Sequence, residues 1–344
     1  MNVAVLYRKP FDLEQGYSQD SQGRGDLKHI MRVKDALQAL DHTPHLINLN
    51  LDSYEYLRKM DFDLVFNLCD DGFRNNALLE AHIPAMLDIL QISYTGSNFL
   101  SLATCVNKAR TKEILVFHGI PTPEFQVFYR NNGKLKEGLH FPLIVKPLHE
   151  DASIGLRRES VVSNPAGLKE RVDFVLNNYN QPALVERFIA GREVYVGILG
   201  HKENLTVLPV SEIVFGSNLA QTAKICSYEA KWVPESQQYQ RSPVECPAKL
   251  DKTLRQRLIE IAKRAYSLLD CRDYGRIDFR IDGNRRPYVL EVNPNPDISE
   301  DAGLAKMAKA SGMSYDELIE KILGFALTRL RLTSAKTEVA GFGG

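Results

Sequence analysis

Two neighbouring stretches, Tyr274-Gly-Arg-Ile-Asp-Phe-Arg-Ile-Asp282 and Pro287-Tyr-Val-Leu-Glu-Val-Asn-Pro294, decide how the rest of this sequence is read. Both alternate with the period of two that a strand imposes. On the first, Arg276, Asp278 and Arg280 take one face and Ile277, Phe279 and Ile281 the other. On the second, Glu291 and Asn293 share a face, opposite Leu290 and Val292. The link Gly283-Asn-Arg-Arg is a short polar turn, which predicts an antiparallel hairpin. With Asp282 paired to Pro287, Asp278 falls opposite Glu291 and Arg276 opposite Asn293. Carboxylates facing each other across a ladder repel unless a cation lies between them. Two carboxylates and an amide are hard oxygen donors of the kind magnesium takes together with nucleotide phosphates. The bland alternative is a solvated hairpin carrying ordinary surface charges, but such a face more often mixes lysine with threonine than sets Asp against Glu.

Two weaker signals lie upstream. In Lys146-Pro-Leu-His-Glu-Asp-Ala-Ser-Ile-Gly155 an apolar strand delivers a lysine to its end, and a loop with small residues follows. Ala152, Ser153 and Gly155 leave backbone N–H groups free to approach phosphate oxygens, as anion-binding nests do. Alone this is a common surface pattern, and Lys108, a candidate second cation, alone reads as a solvated helix residue. In Val185-Glu-Arg-Phe-Ile-Ala-Gly-Arg-Glu193, two acids flank an apolar linker. An adenine slot needs such a wall and acids, although Glu186 and Glu193 taken singly read as plain surface residues.

The first hundred residues alternate strands (3–7, 44–49, 63–68, 92–95) with helices (26–40, 76–90), which predicts a parallel sheet with crossover connections. Ligands collect beyond the carboxyl ends of such strands. Residues 98–119 read as one helix, and 168–177, 252–269, 301–310 and 314–332 as others. From residue 192 the pattern turns to antiparallel-style strands, interrupted by a polar segment, 216–247, long enough to be a functional loop.

Composition limits the alternatives. A chain of 344 residues exceeds one ordinary core, so two or three lobes are expected. Lys plus Arg equals Asp plus Glu, 43 against 43, which gives no electrostatic argument for nucleic acid or an anionic membrane. No stretch approaches the roughly 18 apolar residues of a spanning helix. The N-terminus enters a strand directly rather than a signal sequence, so a cytoplasmic protein is expected. Five scattered cysteines without CxxC spacing read as free thiols.

Together these runs resemble the ATP-grasp superfamily, and within it the D-alanine–D-alanine ligase branch. The resemblance covers roughly residues 60–325 and includes Ser227-Tyr-Glu-Ala-Lys-Trp232, Tyr94-Thr-Gly-Ser97 and Gly312-Met-Ser-Tyr-Asp-Glu-Leu318. It implies a three-domain fold, α/β plus α+β: a Rossmann-like parallel-sheet domain (1–102), a central lobe (103–190), a C-terminal lobe (191–332) with a lid loop (216–247), and a flexible tail (333–344). It further implies ATP and two magnesium ions, with manganese as a substitute. Asp278, Glu291 and Asn293 would bind the metal, Lys108 and Lys146 the phosphates, Glu186 and Glu193 the adenine edge and ribose, with Gly155 and Leu290 also at the nucleotide. Lys231 on the lid would close over the γ-phosphate, Arg276 would stabilise the oxyanion of the tetrahedral intermediate, and Ser153 would act through its backbone N–H. The implied activity is ligation of a carboxylate to an amine through an acyl phosphate. The partners would be small molecules, with neither nucleic acid nor membrane, in a homodimer by default.

The substrate-facing parts depart from that branch. Its first-substrate turn after strand one is replaced by Tyr7-Arg-Lys-Pro-Phe-Asp-Leu-Glu-Gln-Gly-Tyr17, and its His-Gly turn with the following Glu-Asp-Gly by Cys69-Asp-Asp-Gly-Phe73. A lid tyrosine becomes Trp232, a phosphate-loop serine Ala152, and Thr-Ser-Pro-Gly after the metal Asn becomes Pro294-Asn-Pro-Asp297. Substrates other than two D-alanines are therefore expected, with Asp70, Asp71 and Asp297 steering a cationic group. The alternatives are a D-alanine–D-alanine ligase with a remodelled pocket and a non-catalytic ATP-binding scaffold.

Overall fold

The computed structural model describes residues 1–8, 27–131, 133–216, 224–227, 236 and 242–340. Its first sheet is parallel, with β1 (Asn2–Tyr7) between β2 (Thr43–Asn48) and β3 (Leu64–Asn67). Buried residues of β1 divide by parity. Val3, Val5 and Tyr7 pack with Ile30 and Val33 of α1 (Leu27–Ala39), whereas Ala4 and Leu6 pack with Leu57 of α2 (Leu51–Lys59) and with Ile83 and Leu87 of α3 (His82–Ile89). A strand buried on both faces reads as a continuous apolar run, as this one does.

Three local readings of the sequence are corrected. The stretch 76–90 is helical only from His82, because Asn76 is extended and its side chain caps a short 3-10 turn by accepting the Leu78 N–H. Residues 92–95 contribute a single parallel bridge, Val65 to Tyr94, rather than a strand. The helix read over 98–119 is two, α4 (Phe99–Val106) and α5 (Lys108–Phe117). Asn107, outside helical geometry, ends the first and caps the second by accepting the Arg110 N–H at 3.1 Å.

An antiparallel four-stranded sheet follows, formed by β4 (Phe125–Phe128), β5 (Leu143–Pro147), β6 (Val161–Val162) and β7 (Ala183–Arg187) in the order β4-β7-β5-β6. Helix α6 (Pro165–Tyr179) covers one face through Leu168, Val172 and Val175. The third sheet is antiparallel, with β8 (Arg192–His201) flanked by β9 (Asn204–Val207) and by β10 (Ser211–Ile213), which pairs in turn with β11 (Val244–Glu245). On the other side of β8 lie β12 (Asp273–Ile281) and β13 (Pro287–Asn293). The segment 216–247, read as loop throughout, thus supplies the edge strand β11 near its end.

One face of this sheet is closed by α7 (Lys252–Leu268), whose Leu254, Leu258, Ile261 and Ala265 meet Val194, Val196, Ile277 and Phe279. The opposite face is divided. Its lower part is covered by α8 (Gly303–Ala310) and α9 (Tyr315–Ala340). That approach is close enough that a Cβ on Gly197 would lie 2.9 Å from Leu304 and 3.1 Å from Met307. Its upper part, where Glu193, Tyr195, Arg276, Asp278 and Arg280 come side by side in the ladder, is left for the site. Helix α9 continues past residue 332 to Ala340, no glycine or proline intervening before Gly341. Among the described residues no helix is long and apolar enough to cross a membrane.

Candidate active site

The β12–β13 hairpin agrees with the sequence reading where chemistry would occur and departs from it at the turn. Asp278 pairs with Glu291 and Arg276 with Asn293, but Ile281, not Asp282, pairs with Pro287. A bulge beside Asp278 and Phe279 reconciles the two registers by giving β13 one extra residue, Leu290. Strict alternation set Leu290 on the face opposite Glu291; instead both line one cleft.

Two side chains hold the bulge from α5 and the segment after it. Thr122 Oγ1 donates to the Val289 carbonyl at 2.7 Å, and Lys112 Nζ donates to the Leu290 carbonyl at 3.0 Å. Lys112 also reaches Thr122 Oγ1 at 2.8 Å and Glu186 Oε1 at 2.7 Å. Glu186 Oε2 is 2.6 Å from Lys146 Nζ. Both Lys112 and Glu186 are 1% exposed at the side chain, so this is a buried Lys–Glu–Lys triad at the junction of the two antiparallel sheets. Burial would push the Glu186 carboxyl up, but the two ammonium groups overcome it and hold the carboxyl below its usual range. Burial lowers Lys112 to about 8, against the pull of Glu186; Lys146, also buried, is raised because Glu186 and Glu291 outweigh desolvation.

The cleft between the sheets is lined by Lys108, Lys146, Ser153, Glu186, Glu193, Asp278, Leu290 and Glu291, which brings eight predicted residues to one place. Lys108, the first residue of α5, donates from Nζ to the Glu150 carbonyl, and burial lowers its ammonium while Glu291 acts in the opposite sense. The loop after β5 carries left-handed backbone at Ala152 (φ 47°), Ser153 (φ 66°) and Gly155 (φ 76°). Its turns are closed by the N–H groups of Ile154 and Leu156, to Asp151 and Ser153 carbonyls at 2.8 and 3.0 Å, rather than by that of Ser153.

Three predicted residues sit behind the lining. Gly155 supports the loop from below, its carbonyl accepting from Arg171 Nη2; a Cβ there would lie 2.7 Å from Pro147. Arg276 grips Asp278 in a two-pronged ion pair, 2.7 and 2.8 Å, with its guanidinium 4.9 Å from the centre of the Tyr195 ring. Asn293 is half-buried, its amide directed to the Arg276 carbonyl at 3.4 Å. Lys231 and Trp232 lie outside the described residues.

The donor set suits magnesium. Asp278 and Glu291 are opposed on the ladder, Asn293 follows on β13, and all three offer hard oxygens. Magnesium keeps waters and uses one or two carboxylates plus substrate phosphates. Among the described residues no group of three or more His, Cys, Asp or Glu forms a separate cage.

Sequence reading missed Lys112, Thr122 and Tyr195. The available signal was that Lys108 and Lys112 stand one turn apart on α5, in register to point at one locus.

Known proteins resemble this chain in sequence and in fold. Residues 114–324 fit the family described as "D-ala D-ala ligase C-terminus". A D-alanine–D-alanine ligase of Bordetella avium is 31% identical over 301 residues, covering 87% of this chain and 89% of that protein. An uncharacterized protein of Sinorhizobium fredii, y4sG, is 36% identical over 266 residues, 77% of this chain and 75% of that one. The crystal structure of D-alanine–D-alanine ligase from Bacillus anthracis complexed with ATP superposes with a TM-score of 0.73 at 23% identity, covering 97% of this chain and 99% of the other. The chain belongs to the D-alanine–D-alanine ligase family of the ATP-grasp fold, ATP-dependent enzymes that form a C–N bond and release ADP and phosphate.

Proposed function

We propose that this ligase joins a carboxylate to a cationic amine-bearing partner, an amino acid, peptide or amine, rather than joining two D-alanines. The observation that carries this is the acid-rich junction where the N-terminal domain meets the cleft. Burial, then the charges of Asp151 and Asp70, push the Glu80 carboxyl well above its usual range. Glu80 stands 3.5 Å from Asn295 in the departed Pro-Asn-Pro-Asp segment. A bound cation would relieve that crowding. Of the three acids expected to steer it, Asp71 is engaged by Arg8 at 2.7 Å, and Asp297 accepts from Ser299 N and Oγ at 2.8 and 2.6 Å. Asp70, Asp151 and Glu80 act on one another, so a cation placed among them would be shared by all three.

In this reading Lys108 and Lys146 bind phosphates, the Ser153 N–H caps one, Glu186 meets the adenine edge beside Leu290, and Glu193 meets the ribose. Asp278, Glu291 and Asn293 would hold two magnesium ions, manganese substituting, which would supply charge neutralisation for phosphoryl transfer. The carboxylate oxygen attacks the γ-phosphorus as ADP departs. The amine nitrogen then attacks the acyl carbon, loses its proton, and inorganic phosphate leaves. Arg276, immobilised by Asp278, presents a fixed cation for the oxyanion. Lys231 would close the lid, which keeps water from the acyl phosphate. The enzyme works as a cytoplasmic homodimer.

The relatives' name favours a second reading in which both substrates are D-alanine. Magnesium- and ATP-dependent ADP release against a panel of amino acids, amines and short peptides separates the two, with Asp278→Ala as control. Turnover with cationic amines supports the proposal, and turnover with D-alanine alone overturns it while leaving the ligase chemistry intact.

A further inference from the structure

Arg280 shares a strand face with Arg276 and Asp278 yet has no part in the chemistry above. Its side chain is 4% exposed and lines the cleft. Nε donates to the Ile189 carbonyl at 2.9 Å and Nη1 to Glu193 Oε2 at 3.0 Å. The Phe188 and Phe215 rings flank the guanidinium, 5.2 and 5.7 Å from its carbon. Nη2 is buried and has no hydrogen-bond partner among the described residues. Proteins rarely leave a buried donor unsatisfied, and least readily one on a charged group.

A guanidinium only donates, so the partner that Nη2 lacks is an acceptor. Its location follows from the anchoring of the rest of the group. Nη1 and Nη2 share one carbon, and Nη1 is fixed on Glu193. An acceptor reached by Nη2 therefore lies beside whatever that carboxylate holds. The other oxygen of Glu193 accepts from Tyr195 OH at 2.8 Å, so the carboxylate is oriented from two sides and cannot swing to follow a ligand.

We propose that Arg280 is a ribose-binding residue: its Nη2 donates to a ribose hydroxyl oxygen whose own hydrogen Glu193 accepts. This rests on the assignment of Glu193 to the ribose. A hydroxyl is both donor and acceptor, so a carboxylate paired with a guanidinium satisfies it completely, which neither group does alone. The arrangement makes the enzyme selective for a nucleotide with intact ribose hydroxyls, independently of the base.

The test is calorimetric titration of the full-length protein with magnesium and either ATP or 2′,3′-dideoxy-ATP. Wild type is expected to bind ATP tighter by about tenfold or more, the worth of a charge-assisted hydrogen bond. Arg280→Met should weaken ATP by a similar factor and leave the dideoxy nucleotide near its wild-type value, so the ratio collapses. Arg280→Lys, which keeps the buried charge but cannot make all three contacts, should lose part of the ratio and guards against a folding defect. Glu193→Gln should collapse the ratio as well, and combining it with Arg280→Met should add little. Equal weakening of both nucleotides by Arg280→Met, an unchanged ratio, or a wild type that binds both alike would overturn the proposal. If Glu193→Gln preserves the ratio and Arg280→Met collapses it, the Glu193 assignment fails and Arg280 stands as the ribose reader by itself.

Discussion

Replacing Lys112 with methionine tests whether the buried triad holds the site together. The substitution keeps most of the side-chain volume, so cavity terms are small. It removes one of two cations on Glu186 and the donors to Thr122 Oγ1 and Leu290 O. Breaking a buried pair outright costs about 3–5 kcal/mol. Here Lys146 remains 2.6 Å from Glu186, which keeps the charge compensated. What is left is a buried acceptor without its donor at Leu290 and a half-satisfied carboxylate, each about 1–3 kcal/mol, less the desolvation of the lysine itself. The expected loss is about 3 kcal/mol, roughly two orders of magnitude in the folding equilibrium. Urea unfolding followed by circular dichroism measures it, with Lys169→Met on exposed α6 as a control expected to stay within about 0.5 kcal/mol. A loss under about 1 kcal/mol, or a gain such as hydrophobic replacement of buried ion pairs sometimes brings, would refute the view that Lys112 fixes the bulge.

Three further predictions follow from the same contacts. Because the lysines depress the folded-state Glu186 carboxyl, its stabilisation is present above the usual glutamate range and is lost as pH falls; Lys112→Met raises that carboxyl, so acid unfolding should begin at higher pH than in wild type. Gly155→Ala forces an L side chain to φ 76° with its Cβ 2.7 Å from Pro147; it should cost about 2 kcal/mol in urea unfolding and, on the proposed function, raise KM for ATP by distorting the loop after β5. Asp273→Ala strands the buried Gly96 N–H, 2.8 Å from its carboxylate, and removes the counter-charge of the Arg329 guanidinium, which keeps its bond to the Tyr94 carbonyl, so about 3 kcal/mol should be lost with nucleotide affinity little changed, measured by unfolding and calorimetry in parallel.

What the sequence disclosed depended on how local the governing interaction is. Alternation along β12 and β13 is a property of consecutive residues, so the faces of Asp278 and Glu291 and their pairing were readable. The bulge was not, because it is held by Lys112 and Thr122, residues more than 150 positions away from the hairpin. Lys146 and Glu186 were readable as strand-end residues, but their joint burial around Lys112 arises only when two sheets close on each other. The split between α4 and α5 could have been seen: Asn107 is a capping residue just before Lys108, and an apolar pattern that crosses it smoothly hid the break. The pairing of Asp71 with Arg8 spans 63 positions and no local pattern signals it, whereas Asp297 is met by Ser299 only two residues on.

Strand β12 is buried along its whole length and paired on both edges, with Arg276, Asp278 and Arg280 at alternate positions. Alternate residues of a strand stand about 7 Å apart, and neither partner strand permits slippage. The strand is therefore a ruler whose marks, Arg276, Asp278 and Arg280, cannot be moved independently. Insertion or deletion anywhere along it would misplace all the later marks together. The turns after β3 and β13, by contrast, are constrained by no ladder. Such an architecture lets loops be rewritten while the spacing along the strand is passed on intact.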